Sequence, residues 1–131
     1  MPAPRPGDIL WCRFPEDLVP RPGPKPRPAL VIAVGSIGGQ VAVKVAYGTS
    51  RKTERLFAGE FLITPEDGDA FRIAGLSFPT KFNLAKQVEL PFDANWFGVA
   101  PGAPFGQNPK LGLLHPTLMS RARRAFDAVR R

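Results

Sequence analysis

Short apolar runs separated by proline- and glycine-rich turns dominate the hydrophobic pattern of the chain. Residues 9–14 are rich in β-forming types, residues 29–34 are continuously apolar, and residues 40–48 alternate between apolar and small or polar side chains. Runs of this length and period are typical of strands. Because the glycine-rich segment 35–39 joins the second run to the third, these two are predicted to pair antiparallel, with Leu30 and Ile32 buried.

Two weaker strand patterns follow, and the chain ends on a helical one. Residues 57–63 and 85–90 predict further short strands, whereas residues 91–116 are predicted to be ordered loop because proline, glycine and scattered aromatics alternate there. Residues 117–130 predict a helix that Thr117 would cap. Its apolar positions fall on one face at helical spacing: Leu118, Ala122, Phe126 and Val129.

Length and composition fit one small β-rich domain. The chain has 131 residues, within the usual range of about 100–150 for a domain. Sixteen prolines and thirteen glycines argue against a helix bundle, and a hydrophobic fraction of 44% excludes wholesale disorder. We therefore expect a single domain over residues 1–131, mostly β, folded as a small, highly curved barrel with a C-terminal α-helix.

Residue counts exclude several classes of site, and the lengths of the apolar runs bear on the location of the protein. A single cysteine, Cys12, rules out an intramolecular disulfide and a multi-cysteine zinc site, and a single histidine, His115, rules out a site with two histidine ligands. No apolar run reaches the roughly 18 residues of a membrane helix, and residues 1–8 lack the apolar core of a signal peptide. The expected location is cytoplasmic, without membrane contact.

The net charge of +7 is concentrated at the two ends of the chain. Residues 1–55 hold nine basic and four acidic groups, residues 56–109 hold three and six, and residues 110–131 hold six and one. A strongly basic small domain favours a polyanionic partner, because binding releases the counterions of the phosphates. The alternative is that the charge serves only solubility.

A proline-rich loop spans residues 15–28. It contains six prolines, at every second position over residues 20–28, and such a segment cannot donate to a sheet ladder. It also carries Arg21, Lys25 and Arg27. The loop is either a stiff spacer between two strands or a carrier of cations that contact phosphate.

Four short motifs together resemble one protein family. They are Gly7-Asp8-Ile9-Leu10-Trp11, Arg27-Pro28-Ala29-Leu30-Val31-Ile32, Tyr47-Gly48-Thr49-Ser50 and Lys86-Gln87-Val88. Their order and spacing resemble those of the MazF/PemK toxins over roughly residues 6–93. The resemblance implies an SH3-like barrel, a homodimer, and cleavage of single-stranded RNA without metal or cofactor by a toxin that an antitoxin protein restrains.

The resemblance also implies site residues. Arg27 stands where the family's catalytic arginine leads its motif, and Thr49 stands where a hydroxyl residue ends the third strand. Cleavage by the RNA 2′-hydroxyl needs a cation beside the phosphate and groups that move protons. A guanidinium suits the first need because it is planar, always charged and bidentate toward phosphate. Thr49 or Ser50 would orient the phosphate oxygens, or would only cap the turn.

The chain departs from the family pattern at Lys86. Some members carry an acid near this position as a proton-transfer group, so Lys86 is expected to bind substrate instead. His115 lies outside the matched region and is expected to begin the C-terminal helix. The motifs therefore supply no obvious general base, and a lysine would serve only with a strongly lowered pKa.

A second group of candidate substrate-binding residues precedes the last predicted strand. Thr80, Lys81 and Asn83 offer a hydroxyl, a cation and an amide around Phe82, which suits phosphate contact and base stacking. The stretch resembles one in the longer PemK-like branch. The alternative is that Phe82 belongs to the core and Lys81 to the solvated surface.

Two other functions fit the same fold. One is a non-catalytic module that binds RNA, DNA or protein through its basic surface. The other is a structural interaction protein whose proline-rich loop is the ligand of another domain. A fold alone does not choose among the three.

Overall fold

The computed structural model describes residues 2–15 and 21–130, so residues 16–20 of the proline-rich loop lie outside the described part. Within that part, six strands and two helices form the domain. The strands are β1 (Asp8–Cys12), β2 (Arg27–Ile37), β3 (Gln40–Thr49), β4 (Glu60–Ile63), β5 (Thr80–Pro91) and β6 (Lys110–Leu113). The helices are α1 (Asp69–Ile73) and α2 (Met119–Val129), and 3₁₀ turns span Pro65–Asp67 and Pro116–Leu118.

All six strands belong to one antiparallel sheet in the order β4-β5-β3-β2-β1-β6. The predicted β2–β3 hairpin is confirmed, although both strands are longer than expected and only Gly38 and Gly39 form the turn. Irregularities interrupt the β1–β6, β2–β3 and β3–β5 ladders, and bulges of this kind increase bending and twist. The mostly-β class with a C-terminal helix is confirmed. Since β4 and β6 remain edges among the described strands, a closed SH3-like barrel stays a prediction.

Side chains alternate across the curved sheet into two cores. In β1, Ile9 packs into a first core and Leu10 into a second, as the period of two requires. Leu30 is buried in the first core as predicted, whereas Ile32 is only partly buried against it. The first core includes Phe61, Phe82 and Ala122; the second includes Cys12, Val43, Val45 and Phe97.

The C-terminal helix forms where the apolar spacing predicts it, with a different start. His115, not Thr117, is the N-cap residue: Nδ1 of its side chain accepts a hydrogen bond from the Thr117 N–H at 3.2 Å. A 3₁₀ turn comes first and α2 follows. On the predicted face Leu118 and Ala122 are buried, but Phe126 is exposed and Ala125 packs into the first core.

Two elements were not predicted from the sequence. Helix α1 lies between the strands predicted over residues 57–63 and 85–90, and β6 lies inside the segment 91–116 that was predicted to be ordered loop. They pack backbone to backbone: a Cβ placed on Gly112 would lie 2.1 Å from the Ile73 carbonyl oxygen, and one on Gly75 would lie 1.9 Å from the Leu111 carbonyl oxygen. Glycine at both positions is therefore required by close approach, and at Gly75 also by a φ of +71°.

An ion pair attaches α2 to the turn after β4. The Arg121 guanidinium donates one hydrogen bond, each 3.1 Å long, to each carboxylate oxygen of Asp67, and a further one of 2.8 Å to the Leu62 carbonyl. The hydrogen bond from Arg121 lowers the pKa of Asp67 from its usual 3.8, and the Thr64 N–H contributes to the same effect.

This pair predicts an acid dependence of stability. A carboxyl group whose pKa is lowered by folding stabilises the native state above its unfolded pKa, and this contribution is lost as pH falls through the folded pKa. Below about pH 4, the free energy of unfolding should therefore fall more steeply for the wild type than for Asp67→Asn. Urea titrations across the acid range measure this, with the exposed Asp69→Asn as control. Equal slopes for wild type and Asp67→Asn would contradict the prediction.

No helix among the described residues is long and apolar enough to span a membrane.

Candidate active site

The sheet register brings Arg27 and Thr49 together. Arg27 begins β2 and Thr49 ends β3, and in an antiparallel pair the start of one strand lies beside the end of the next. The β2–β3 ladder ends at the pair Ala29–Tyr47, and Arg27 and Thr49 each lie two residues beyond that pair. Gly48 allows this close approach, because a Cβ there would lie 2.4 Å from the Pro28 carbonyl oxygen.

A cavity of about 490 Å³ opens beside these two residues. Four of the sequence-predicted site residues line it: Arg27, Thr49, Ser50 and Thr80. The opposite chain segments are residues 75–78, which follow α1, and residues 100–104. Trp11, Phe78 and Leu111 add apolar surface. The cavity therefore combines a guanidinium and hydroxyl groups with aromatic and aliphatic walls.

Local hydrogen bonds fix the hydroxyl residues. Thr49 Oγ1 accepts the N–H of Arg51 at 3.1 Å, as expected of a hydroxyl that closes the turn after β3. This bond uses one lone pair, so the Thr49 O–H remains a donor. Thr80 Oγ1 donates to the Phe78 carbonyl at 2.8 Å, which leaves its lone pairs as acceptors. Ser50 is exposed.

Lys86 belongs to a neighbouring cluster rather than to the cavity lining. The β3–β5 register jumps from Ala46–Gln87 to Tyr47–Asn83, so residues 84–86 bulge out of the ladder. The ammonium of Lys86 lies 4.4 Å from the centre of the Tyr47 ring, and the Arg27 guanidinium carbon lies 5.9 Å from it. Tyr47 therefore connects Lys86 with Arg27 through two cation–π contacts.

Lys81 and Asn83 are engaged within the fold. The Lys81 ammonium donates to Glu60 at 3.0 Å and to the Arg55 carbonyl at 2.9 Å, and both ionic side chains are nearly buried. Asn83 Oδ1 accepts the N–H of Ala85 at 2.9 Å, which stabilises the β5 bulge. Neither residue lines the cavity that holds Arg27 and Thr49.

The proline-rich loop reaches the cavity at its C-terminal end. Pro26 lines the cavity, and so do Arg27 and Pro28, which were predicted as loop but are the first two residues of β2; Arg21 and Lys25 are exposed. The Gly23 N–H donates to the Arg13 carbonyl at 3.1 Å and ties the loop to the end of β1. Of the three cations predicted to act from the loop, only Arg27 therefore lines the cavity, and the other two are exposed to solvent.

Two further groups bear on possible chemistry. Burial raises the pKa of the Cys12 thiol to about 12, so this side chain is not a nucleophile at neutral pH. His115 holds the start of the 3₁₀ turn before α2 through Thr117, as its place before Pro116 suggested. Among the described residues, no three histidine, cysteine, aspartate or glutamate side chains form a cluster that could hold a metal ion.

Sequence reasoning missed the aromatic part of the cavity. Trp11 was named only as part of the first motif, and Phe78 was not singled out. A possible signal for Phe78 was its position in Ser77-Phe78-Pro79-Thr80, where a large apolar side chain stands in a short polar turn. No signal marked residues 100–104, because their place in the cavity depends on tertiary packing.

Compared with known proteins, the chain matches no family model and no curated sequence.

Proposed function

We propose that this protein is an endoribonuclease of the MazF/PemK toxin type that cleaves single-stranded RNA without a metal ion. One observation carries the proposal: Arg27 and Thr49, chosen from separate motifs, line the same cavity of about 490 Å³. A cavity of this size is typical of sites for small molecules or single nucleotides. The net charge of +7 supports a polyanionic substrate.

The proposed reaction uses a nucleophile that the RNA itself provides. The 2′-hydroxyl oxygen attacks the adjacent phosphorus, a P–O2′ bond forms, and the P–O5′ bond breaks. Negative charge grows on the non-bridging phosphate oxygens during this step. Arg27 would neutralise that charge with two parallel N–H donors, and the free O–H of Thr49 would donate a further hydrogen bond.

The proton steps are assigned to water in this proposal. The 2′-hydroxyl proton leaves to a water molecule and the departing 5′-oxygen takes one from a second, because Arg27 and Thr49 are not bases at neutral pH. Turnover should therefore be slower than with a positioned general base, which typically contributes a factor of about 10²–10⁴.

The partners in this proposal follow from the family resemblance. They are a restraining antitoxin protein and a second copy of the chain in a homodimer, with the barrel closed as in SH3-like folds. Binding of the antitoxin over the cavity would block access of RNA to Arg27.

An assay that identifies the chemical groups at the ends of the RNA products tests the proposal. Purified protein is incubated with a long single-stranded RNA in EDTA, and the products are analysed by gel and mass spectrometry. We expect cleavage that leaves 2′,3′-cyclic phosphate and 5′-hydroxyl ends, and no cleavage of the same sequence made as DNA, which lacks the nucleophile. Intact RNA, or 3′-hydroxyl ends, would contradict the proposed reaction.

The second candidate function is a nucleic-acid-binding module without catalysis, which the exposed cations Arg21 and Lys25 favour. In either case, Arg21→Ala combined with Lys25→Ala should weaken RNA binding. It should also make the dependence of log affinity on log salt shallower by about one to two units, at roughly 0.7 per lost contact on single strands. Binding titrations at several salt concentrations measure this.

The matched control is Arg123→Ala combined with Arg124→Ala, which removes two exposed cations from α2. If only this control changes the salt dependence, the loop is a spacer and the helix is the nucleic-acid surface.

A further inference from the structure

The aromatic side of the cavity has no role in the phosphate chemistry. Trp11 pairs with Pro28 across the β1–β2 ladder, and both residues line the cavity together with Arg27. Its indole packs partly against the first core and lines the cavity. Phe78 lines the same cavity and is 65% exposed, the highest value among the exposed large hydrophobic side chains of the described residues.

The backbone holds Phe78 in this exposed position. Thr80 Oγ1 donates to the Phe78 carbonyl at 2.8 Å, and Pro79 restricts the conformation of the residue before it. Gly75, at the start of the same segment, touches the Leu111 backbone so closely that no side chain would fit. The backbone of this segment therefore sets the position of the Phe78 ring at the cavity, since most of the surface of the ring is not packed against the core.

We infer that the cavity binds one unstacked nucleobase of the RNA against Trp11 and Phe78, while Arg27 and Thr49 contact the attached phosphate. The inference rests on the proposed function for its RNA chain, but it concerns the base and not the cleavage. Aromatic side chains beside a cationic site are how proteins bind unpaired bases, and each stacked base typically contributes about tenfold or more in affinity. Only a single strand releases a base at little cost, so this subsite would select single-stranded RNA.

Fluorescence of Trp11 tests the inference directly. The chain has two tryptophans, and Trp96→Phe leaves Trp11 as the only one. AMP and ribose 5-phosphate are the probes, since they share the phosphate and sugar and differ in the base. We expect AMP to quench Trp11 saturably and ribose 5-phosphate to bind at least tenfold more weakly. In the same background, Phe78→Ala should weaken AMP binding about tenfold or more.

The matched control is Phe57→Ala, which removes a comparably exposed ring, 59%, that lies outside this cavity and should leave AMP binding unchanged. If Trp96→Phe does not fold, 5-fluorotryptophan in the otherwise unchanged chain reports the same contact by ¹⁹F NMR, with the Trp11 signal assigned through Trp11→Phe. Equal affinity for AMP and ribose 5-phosphate, or equal affinity for AMP with and without the Phe78 ring, would overturn the inference.

The inference and the proposed function can fail separately. If the protein cleaves RNA but binds the two probes equally, the proposed function stands and the base subsite is wrong. If AMP binds as expected but RNA is not cleaved, the base subsite stands and the nuclease is wrong.

Discussion

Arg27→Ala should lower the rate of RNA cleavage by a factor of about 100–1000, the usual effect of removing one preorganised donor to a developing oxyanion. The melting temperature should fall by about 5 °C or less. The reason is that the Arg27 side chain makes a cation–π contact with Tyr47, which is worth about 0.5–1 kcal/mol at a partly exposed site. Initial rates on one RNA substrate and thermal unfolding curves measure the two effects.

Two variants make this expectation specific. Arg27→Lys should recover only part of the lost rate, because an ammonium cannot donate the two parallel bonds of a guanidinium. Arg124→Ala removes an exposed arginine that lines a different cavity and should cleave at the wild-type rate. Cleavage by Arg27→Ala at the wild-type rate would remove Arg27 from the mechanism.

The parts of the fold that were predictable from the sequence are those with a local signal. The β2–β3 hairpin follows from two β-prone runs around a glycine turn, and α2 follows from its apolar spacing. Strand β6 has four residues and forms only because it pairs with β1, about a hundred residues earlier in the chain. Such an element carries little periodicity of its own, so the sequence alone did not reveal it.

The candidate site also has a part that the sequence predicts and a part that it does not. Arg27 stands just before the second predicted strand and Thr49 just after the third, and the antiparallel hairpin of these strands brings the two ends close together. Phe78 stands out in the sequence only as a large apolar side chain in a short polar turn, and nothing in the sequence indicates the contribution of residues 100–104, because the path of that loop is set by distant packing. Lys81 shows the converse: a lysine in a polar stretch suggests solvent or phosphate contact, but its strand position directs it to Glu60.

The pair of Lys81 and Glu60 carries the largest stability effect that we expect. Their side chains are only 6% and 8% exposed, and Glu60 Oε1 also accepts the Phe57 N–H at 2.8 Å. Lys81→Met keeps the unbranched apolar stem of the side chain but leaves the Glu60 carboxylate buried without a cation. Because breaking a buried pair from one side leaves an uncompensated charge, the free energy of unfolding should fall by about 3–5 kcal/mol. Urea unfolding, with the slope checked for constancy, measures this.

A double variant separates the charge from the packing. Glu60→Gln keeps an acceptor for the Phe57 N–H and removes the charge, so Lys81→Met combined with Glu60→Gln should be clearly more stable than Lys81→Met alone. The comparison also bears on the cavity, since the Lys81 ammonium holds the Arg55 carbonyl in the segment that follows Ser50. A loss below about 1 kcal/mol for Lys81→Met would contradict the cost expected of an uncompensated buried charge.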